Sequence, residues 1–188
     1  MNRLLTLFVS SLLLASCAGK TNTYELIPYP NELTPRSGSY AVAGAAFTCD
    51  EGLDEASRAV VEEFAARLSE ATQTESTVSY VADPAAGEGF RFVVDEALDA
   101  ERYQLDVASS GVTVRASSLP GFLYAVQTVK QLLPAAFFGG EADAATAWTL
   151  PCVAIDDSPR FAYRGLMLDV ARPFFSKEGG GEVIELMA

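Results

Sequence analysis

Apolar positions along this chain follow two periods. Ala56, Val60, Phe64 and Leu68 recur every fourth residue, and Val61 widens the stripe. That spacing predicts a helix over 54–71 with one buried face, and Asp54 stands where its carboxylate can cap the first amides. Phe122, Val126, Val129 and Leu133 form a second stripe, predicting a helix over 119–133 with Pro120 in its first turn and Pro134 at its end. Period two takes over between them. Tyr103, Leu105 and Val107 alternate with Gln104 and Asp106; after Ser109-Ser110-Gly111, Val112, Val114 and Ala116 alternate with Thr113 and Arg115. Two alternating runs around a short Gly turn predict a hairpin. Runs at 40–49, 77–82 and 90–95 predict three more strands. Pro28 and Pro30 bar a helix from 24–30 and leave it extended, and the Gly/Ala-rich stretch 139–147 reads as a loop. Residues 24–150 are therefore expected to form an α+β domain, one sheet carrying two helices on one face.

The N-terminus has a different pattern. Arg3 precedes a run from Leu4 to Leu14 broken only by Thr6, Ser10 and Ser11. It has the length of a signal h-region and falls short of the roughly 20 residues a membrane helix needs. The run ends Leu14-Ala15-Ser16-Cys17, which resembles the bacterial lipobox. Residues 1–16 are thus expected to be a signal peptide and Cys17 the lipidated residue, with 17–23 as a polar tether. The expected location is the periplasmic or extracellular face, in the outer membrane or at the cell surface, with the lipid as the membrane contact. Stable anchoring takes more than one acyl chain.

Composition narrows the chemistry. The 188 residues are 49% apolar, enough for one good core, and their net charge of −12 disfavours nucleic acid as a partner. No His is present, which excludes a Ser-His-Asp triad, a Cys-His pair and any His-ligated metal within these residues. Apart from Cys17, Cys49 and Cys152 remain, and they lack metal-site spacing. They read as small buried hydrophobes, though an exported context would also permit a disulfide. No cofactor is expected.

The segment after 150 carries the most specific motifs. It contains Asp157-Ser158-Pro159-Arg160-Phe161, Tyr163-Arg164-Gly165 and Leu168-Asp169-Val170-Ala171-Arg172. Upstream stand Ile27-Pro28-Tyr29-Pro30, Gly121-Phe122-Leu123-Tyr124-Ala125-Val126-Gln127-Thr128 and Gln131-Leu132-Leu133-Pro134. Over residues 24–188 the chain resembles the family 20 glycoside hydrolases, the β-N-acetylhexosaminidases. The resemblance implies an accessory domain over 24–150 and, over 151–188, the truncated start of a catalytic (β/α)8 barrel. It implies hydrolysis of terminal GlcNAc or GalNAc from glycans by a retaining, substrate-assisted mechanism. It also implies that Arg172 binds hydroxyls of the terminal sugar at the C-terminal end of the first barrel strand, which suits a planar, always-charged fork. Leu166–Val170 is apolar enough for such a strand buried on both faces. Arg160 and Arg164 are expected to pair with Asp156 or Asp157, and Asp169, out of phase with Arg172 on a regular strand, to serve as a structural partner.

The chain departs from that family at several points. A barrel needs about 250 residues, and the family's catalytic Gly-x-Asp-Glu pair would fall beyond residue 188, so no catalytic residue is expected within this chain. Gly52-Leu53-Asp54-Glu55 spells the motif, but at a helix start where acidic residues are favoured anyway. Pro173 stands where the family usually has His. Gly179-Gly180-Gly181 each disfavour a helix interior by about 1 kcal/mol, which places the next helix start nearer Glu182. The chain reads as a truncated product or a degenerate gene. Two other functions are compatible with the residues: a non-catalytic lipoprotein serving as a binding or scaffold module, and a different glycosidase family sharing the accessory domain. The Asp-x-Pro-Arg-Phe and Leu-Asp-x-x-Arg runs speak against the latter.

Overall fold

A computed structural model of the chain describes residues 24–139, 146–170, 172, 174 and 176–187. The expected signal peptide, Cys17 and the tether up to residue 23 lie outside them. The chain divides after Ser158 into two units.

The first unit is a seven-stranded mixed sheet: β1 (Glu32–Ala41), β2 (Ala46–Asp50), β3 (Thr77–Val81), β4 (Gly89–Val94), β5 (Tyr103–Ala108), β6 (Gly111–Ala116) and β7 (Thr149–Asp157), in spatial order β1-β7-β5-β6-β4-β2-β3. β2 runs parallel to β3 and β4, and β4 parallel to β6; β5 and β6 form the antiparallel hairpin, and β7 lies antiparallel between β5 and β1. Helices α1 (Glu55–Thr72) and α2 (Leu119–Leu132) pack against each other. α1 also contacts β3, and α2 contacts β5, β6 and β7.

The helices cover the face toward which the alternating apolar residues point. Phe47, Phe90, Phe92, Leu105, Val107, Val112 and Val114 are all buried. Phe47 stacks on Phe90 at 4.7 Å between ring centroids, and Phe64 of α1 sets its edge against both rings at 5.7 Å. Such pairs add to simple area burial. The buried stripe of α1 is Ser57, Val61, Phe64, Ala65 and Leu68; it is rotated from the expected one, leaving Ala56 exposed and Val60 half-buried. The stripe of α2 is as expected, extended by Gly121, Ala125, Thr128 and Leu132. Asp54 caps α1, accepting from the Ser57 amide at 2.7 Å.

In this unit two expectations are corrected, and one strand appears that was not expected. The single strand predicted over 40–49 is the end of β1 and the whole of β2, separated by a tight turn in which Gly44 takes a φ of +68° and the Ala45 amide donates to the Val42 carbonyl. Most of β1 lies over residues 32–39, where the sequence pattern predicted no element; at a sheet edge the missing N–H of Pro35 is tolerated, and the ladder shifts register between Pro35 and Ser39. The break expected after residue 150 falls inside β7. Residues 153–156 pair on both sides, with β1 and with β5, Pro151 pairs with β1 and Asp157 with β5, so this stretch belongs to the sheet.

The second unit, from Pro159, contains α3 (Lys177–Met187). This helix starts five residues before Glu182 and runs through the three glycines. Ser176 supplies the start: its Oγ accepts from the Gly179 amide at 3.1 Å and its carbonyl from the Gly180 amide at 3.0 Å. A serine cap of this kind offsets part of the glycine cost. The strand expected over Leu166–Val170 is not formed: these residues have no ladder partner among the described residues, and Met167 is 93% exposed. An apolar parallel strand gains its stability from neighbours on both sides.

Candidate functional site

The motif-bearing residues do two kinds of work. Those in the first unit hold the sheet together. The Ile27 amide donates to Oε1 of Gln131 at 2.9 Å, so the proline-rich lead-in is fastened to the end of α2. Gly121 lets α2 approach the sheet: a methyl group there would lie 2.7 Å from the Arg102 carbonyl oxygen and 2.8 Å from the Ala116 Cβ.

Asp156 and Asp157 are also occupied within the sheet. Asp156 accepts Nε and Nη2 of Arg102, both at 2.7 Å, and Nε2 of Gln104 at 2.8 Å. The Arg102 hydrogen bond holds the Asp156 carboxyl below its ordinary range, helped by Gln104 and opposed by partial burial. Asp157 accepts from the Asn31 amide at 2.9 Å and from the Tyr103 hydroxyl at 3.4 Å. That hydroxyl also lies 2.7 Å from Thr128 Oγ1, and burial raises its pKa. Within the first unit these carboxylates are held by Arg102, Gln104, Asn31 and Tyr103. Within the second, Arg164 donates to the Phe161 carbonyl. Strand register was the signal for the Arg102–Asp156 pair: Gln104 is in register with Asp156, and Arg102 lies just ahead of it.

Within the second unit, Arg172 donates through Nε at 3.2 Å and Nη2 at 3.0 Å to one oxygen of Asp169. The Arg172 side chain is 87% exposed. Asp169 is thus a partner of Arg172, which the strand expected here would have kept out of phase with it; the two meet three residues apart along a non-strand backbone.

Other chemistry-bearing candidates are structural. The Asp54 of Gly52-Leu53-Asp54-Glu55 is the helix cap, and the amides it accepts hold its pKa down. Cys49 and Cys152 are free and buried, and burial pushes the Cys49 thiol up to about 12, which keeps it protonated and unreactive. Among the described residues no group of three His, Cys, Asp or Glu could hold a metal ion.

A helix-backed mixed sheet whose acidic residues serve as caps and ion-pair partners defines the first unit as an accessory-type α+β domain. Residues 23–158 match the family model described as Glycosyl hydrolase family 20, domain 2, and the chain belongs to that family. It is 32% identical over 167 residues to a beta-hexosaminidase of Porphyromonas gingivalis, covering 87% of this chain and 21% of that protein. It is 28% identical over 163 residues to the N,N'-diacetylchitobiase of Vibrio harveyi, covering 87% of this chain and 17% of that one. Among solved structures, the Streptomyces plicatus N-acetyl-beta-hexosaminidase in complex with Thio-NAglucal is similar with a TM-score of 0.72 and 30% identity, over 86% of this chain and 31% of its own. The chain thus spans about a fifth of the length of these two curated relatives.

Proposed function

We propose that this chain is the N-terminal part of an exo-β-N-acetylhexosaminidase that removes terminal N-acetyl-hexosamine from glycans outside the cytoplasm. The family membership of the sheet unit carries this reading. The relatives' names supply the substrate class: the Vibrio harveyi protein is an N,N'-diacetylchitobiase, and a mutant of the Streptomyces plicatus beta-hexosaminidase is seen in complex with its product GlcNAc.

In this reading residues 159–188 open the catalytic barrel. Phe161, Leu166, Met167, Val170, Phe174, Ile184 and Met187, all exposed here, become buried against later barrel elements. Arg172 holds hydroxyls of the terminal sugar, and Asp169 orients its guanidinium. The sugar's own acetamido oxygen attacks the anomeric carbon. A carboxylate that orients the acetamide and an acid that protonates the leaving oxygen come from beyond residue 188. The lipid on Cys17 fixes the enzyme to the membrane surface, and the residues up to 23 act as the spacer.

The test is to express the reading frame extended past residue 188 beside the 188-residue chain, both assayed on a chromogenic N-acetylglucosaminide. The extended protein should turn over and the short chain should not. An attacking acyl oxygen needs an orienting carboxylate, and the departing alkoxide needs an acid within about 3 Å. Turnover by the short chain that survives repurification, or a folded extended protein without activity, would overturn the reading. For the anchor, mass spectrometry should find residues 1–16 removed and acyl chains on Cys17.

A further inference from the structure

The two outer strands of the sheet are built differently. β1 carries Pro35 and Arg36 and shifts register between Pro35 and Ser39, features that keep a sheet edge from pairing with another chain. β3, at the opposite edge, pairs with β2 alone among the described residues. Its five residues, Thr77-Val78-Ser79-Tyr80-Val81, contain no charge, proline or glycine, and their ladder to β2 is unbroken. Thr77, Val78 and Val81 are β-branched and Tyr80 is aromatic, the types that favour strands.

The ladder also fixes which backbone groups of β3 are left over. The Val81 carbonyl accepts from the Glu51 amide at 3.0 Å, so it points toward β2. Along a strand the N–H and C=O of one residue share a side, and the side alternates from residue to residue. Thr77, Ser79 and Val81 thus turn theirs to β2. Val78 and Tyr80 turn theirs outward, two donors and two acceptors with no ladder partner among the described residues. The side chains leave this row open. Val78 and Tyr80 stand on the helix side, in register with buried Phe47 and Cys49. The Tyr80 hydroxyl donates to Glu62 of α1 at 2.6 Å, and the Arg58 guanidinium lies 4.4 Å from its ring centroid. Thr77 and Ser79 are exposed on the other face.

We propose that β3 is a homodimer seam, joining two copies of this chain antiparallel about a two-fold axis at Ser79 into one continuous sheet. In that register Val78 faces Tyr80 of the second copy and exchanges both hydrogen bonds with it. The four bonds so formed satisfy every outward group of both copies, as an isologous contact requires. It is the register that sets both outward residues against both. A valine then lies beside an aromatic ring on the helix side, and serine beside serine at the axis, both favourable cross-strand pairs. The strand itself brings no charge to the seam. Glu75 and Asp83 face each other just beyond it, which ends the ladder at five residues a side. With a net charge of −12 per chain, this repulsion makes the dimer tighten as salt rises. So short a seam belongs with the small specific interfaces, and its dissociation constant is expected in the micromolar range. The lead-in to β1 and the exit at Ser158 both leave from the other side of the sheet, so neither runs across β3.

The experiment is register-specific cross-linking in the 188-residue chain carrying Cys17→Ser. Opposed residues of an antiparallel pair that share no hydrogen bonds have Cα atoms about 4.5 Å apart, within the span of a disulfide. Ser79→Cys should therefore give a disulfide-linked dimer on mild oxidation, while Cys49 and Cys152, both buried, stay reduced. Thr77→Cys sets its two thiols four residues apart along the seam, about 14 Å, and should give none. In sedimentation equilibrium, Val78→Pro should raise the dissociation constant about tenfold or more, because it deletes two of the four bonds. Its melting temperature should hold, since the Val78 N–H is not given to β2; Ser79→Pro, which removes a donor from the β2 ladder, should lower it. Ser79→Lys puts like charges together at the axis and should also separate the dimer, which keeps the test open if Val78→Pro fails to fold. No cross-link at 79, equal cross-linking at 77 and 79, or association unchanged by both Val78→Pro and Ser79→Lys would each overturn the proposal. So would loss of the Ser79→Cys cross-link in the reading frame extended past residue 188, where later residues would then be covering β3.

Discussion

Asp156 is a carboxylate recruited by the sheet. Its folded pKa lies below its unfolded value because Arg102 donates to it. A depressed carboxyl contributes stability that is present above the unfolded pKa, near 4, and is lost as pH falls through the lower folded value. Asp54 acts with the same sign. Urea midpoints measured from pH 6 to 2 should therefore fall on the acid side, and an Asp156→Asn variant, already lower at pH 6, should fall less. Arg172 is the other residue with a definite expectation. In the extended enzyme, Arg172→Ala removes a charged partner from the sugar, which is worth about 1.5–3 kcal/mol. That corresponds to a loss in kcat/KM of about 10- to 150-fold, with partial rescue by Lys; an unchanged kcat/KM would leave Arg172 a structural residue. The two roles are not equally visible in the sequence. Arg172 stands in a local motif, whereas the partner of Asp156 is 54 positions away and follows only from register.

At the scale of elements, two helical glycines should answer the same substitution oppositely. Ala is favoured over Gly in a helix by about 1 kcal/mol. At Gly180 a methyl group meets nothing within 4 Å, so Gly180→Ala should raise the helicity of α3 by circular dichroism. At Gly121 the methyl strikes the Arg102 carbonyl and Ala116, so Gly121→Ala should lower the melting temperature of the first unit despite the better propensity. Elements whose burial is periodic and local were legible in the sequence: both sheet-packed helices, the hairpin, β3 and β4 stand within a residue or two of expectation. β1 and β7 were not, because what makes them strands is each other. Pro35 and a polar run give β1 no period of its own, and its ladder with β7 joins residues more than a hundred positions apart. The start of α3 was hidden for a smaller reason: on propensity alone three glycines outweigh a helix start, and only the Ser176 cap reverses that balance.

For the whole molecule, the position of β7 decides where the chain can be cut. β7 lies between β1 and β5, so a chain ending at residue 150 strips β1 of its neighbour and leaves an unpaired edge on β5. A chain ending at Ser158 keeps the sheet whole. The shorter product should be insoluble or lack a cooperative melt, and the longer should melt cooperatively. In the intact chain, amide exchange protection should continue across residue 151 and end near 158; a loss of protection at 151 would contradict this.

The same ladder sets how the unit responds to load. Glu32, the first residue of β1, is in register with Asp156 at the far end of β7, so both chain ends leave the sheet at one corner. A molecule tethered through its N-terminus and tugged from beyond residue 158 feels the pull across that single rung. The rungs then open in succession, as a zipper does, and the strand between the tether and the sheet yields first and at low force. Pulling between Ala41 and Asp157 instead loads the rungs together in shear, and should require a markedly higher rupture force in an optical trap.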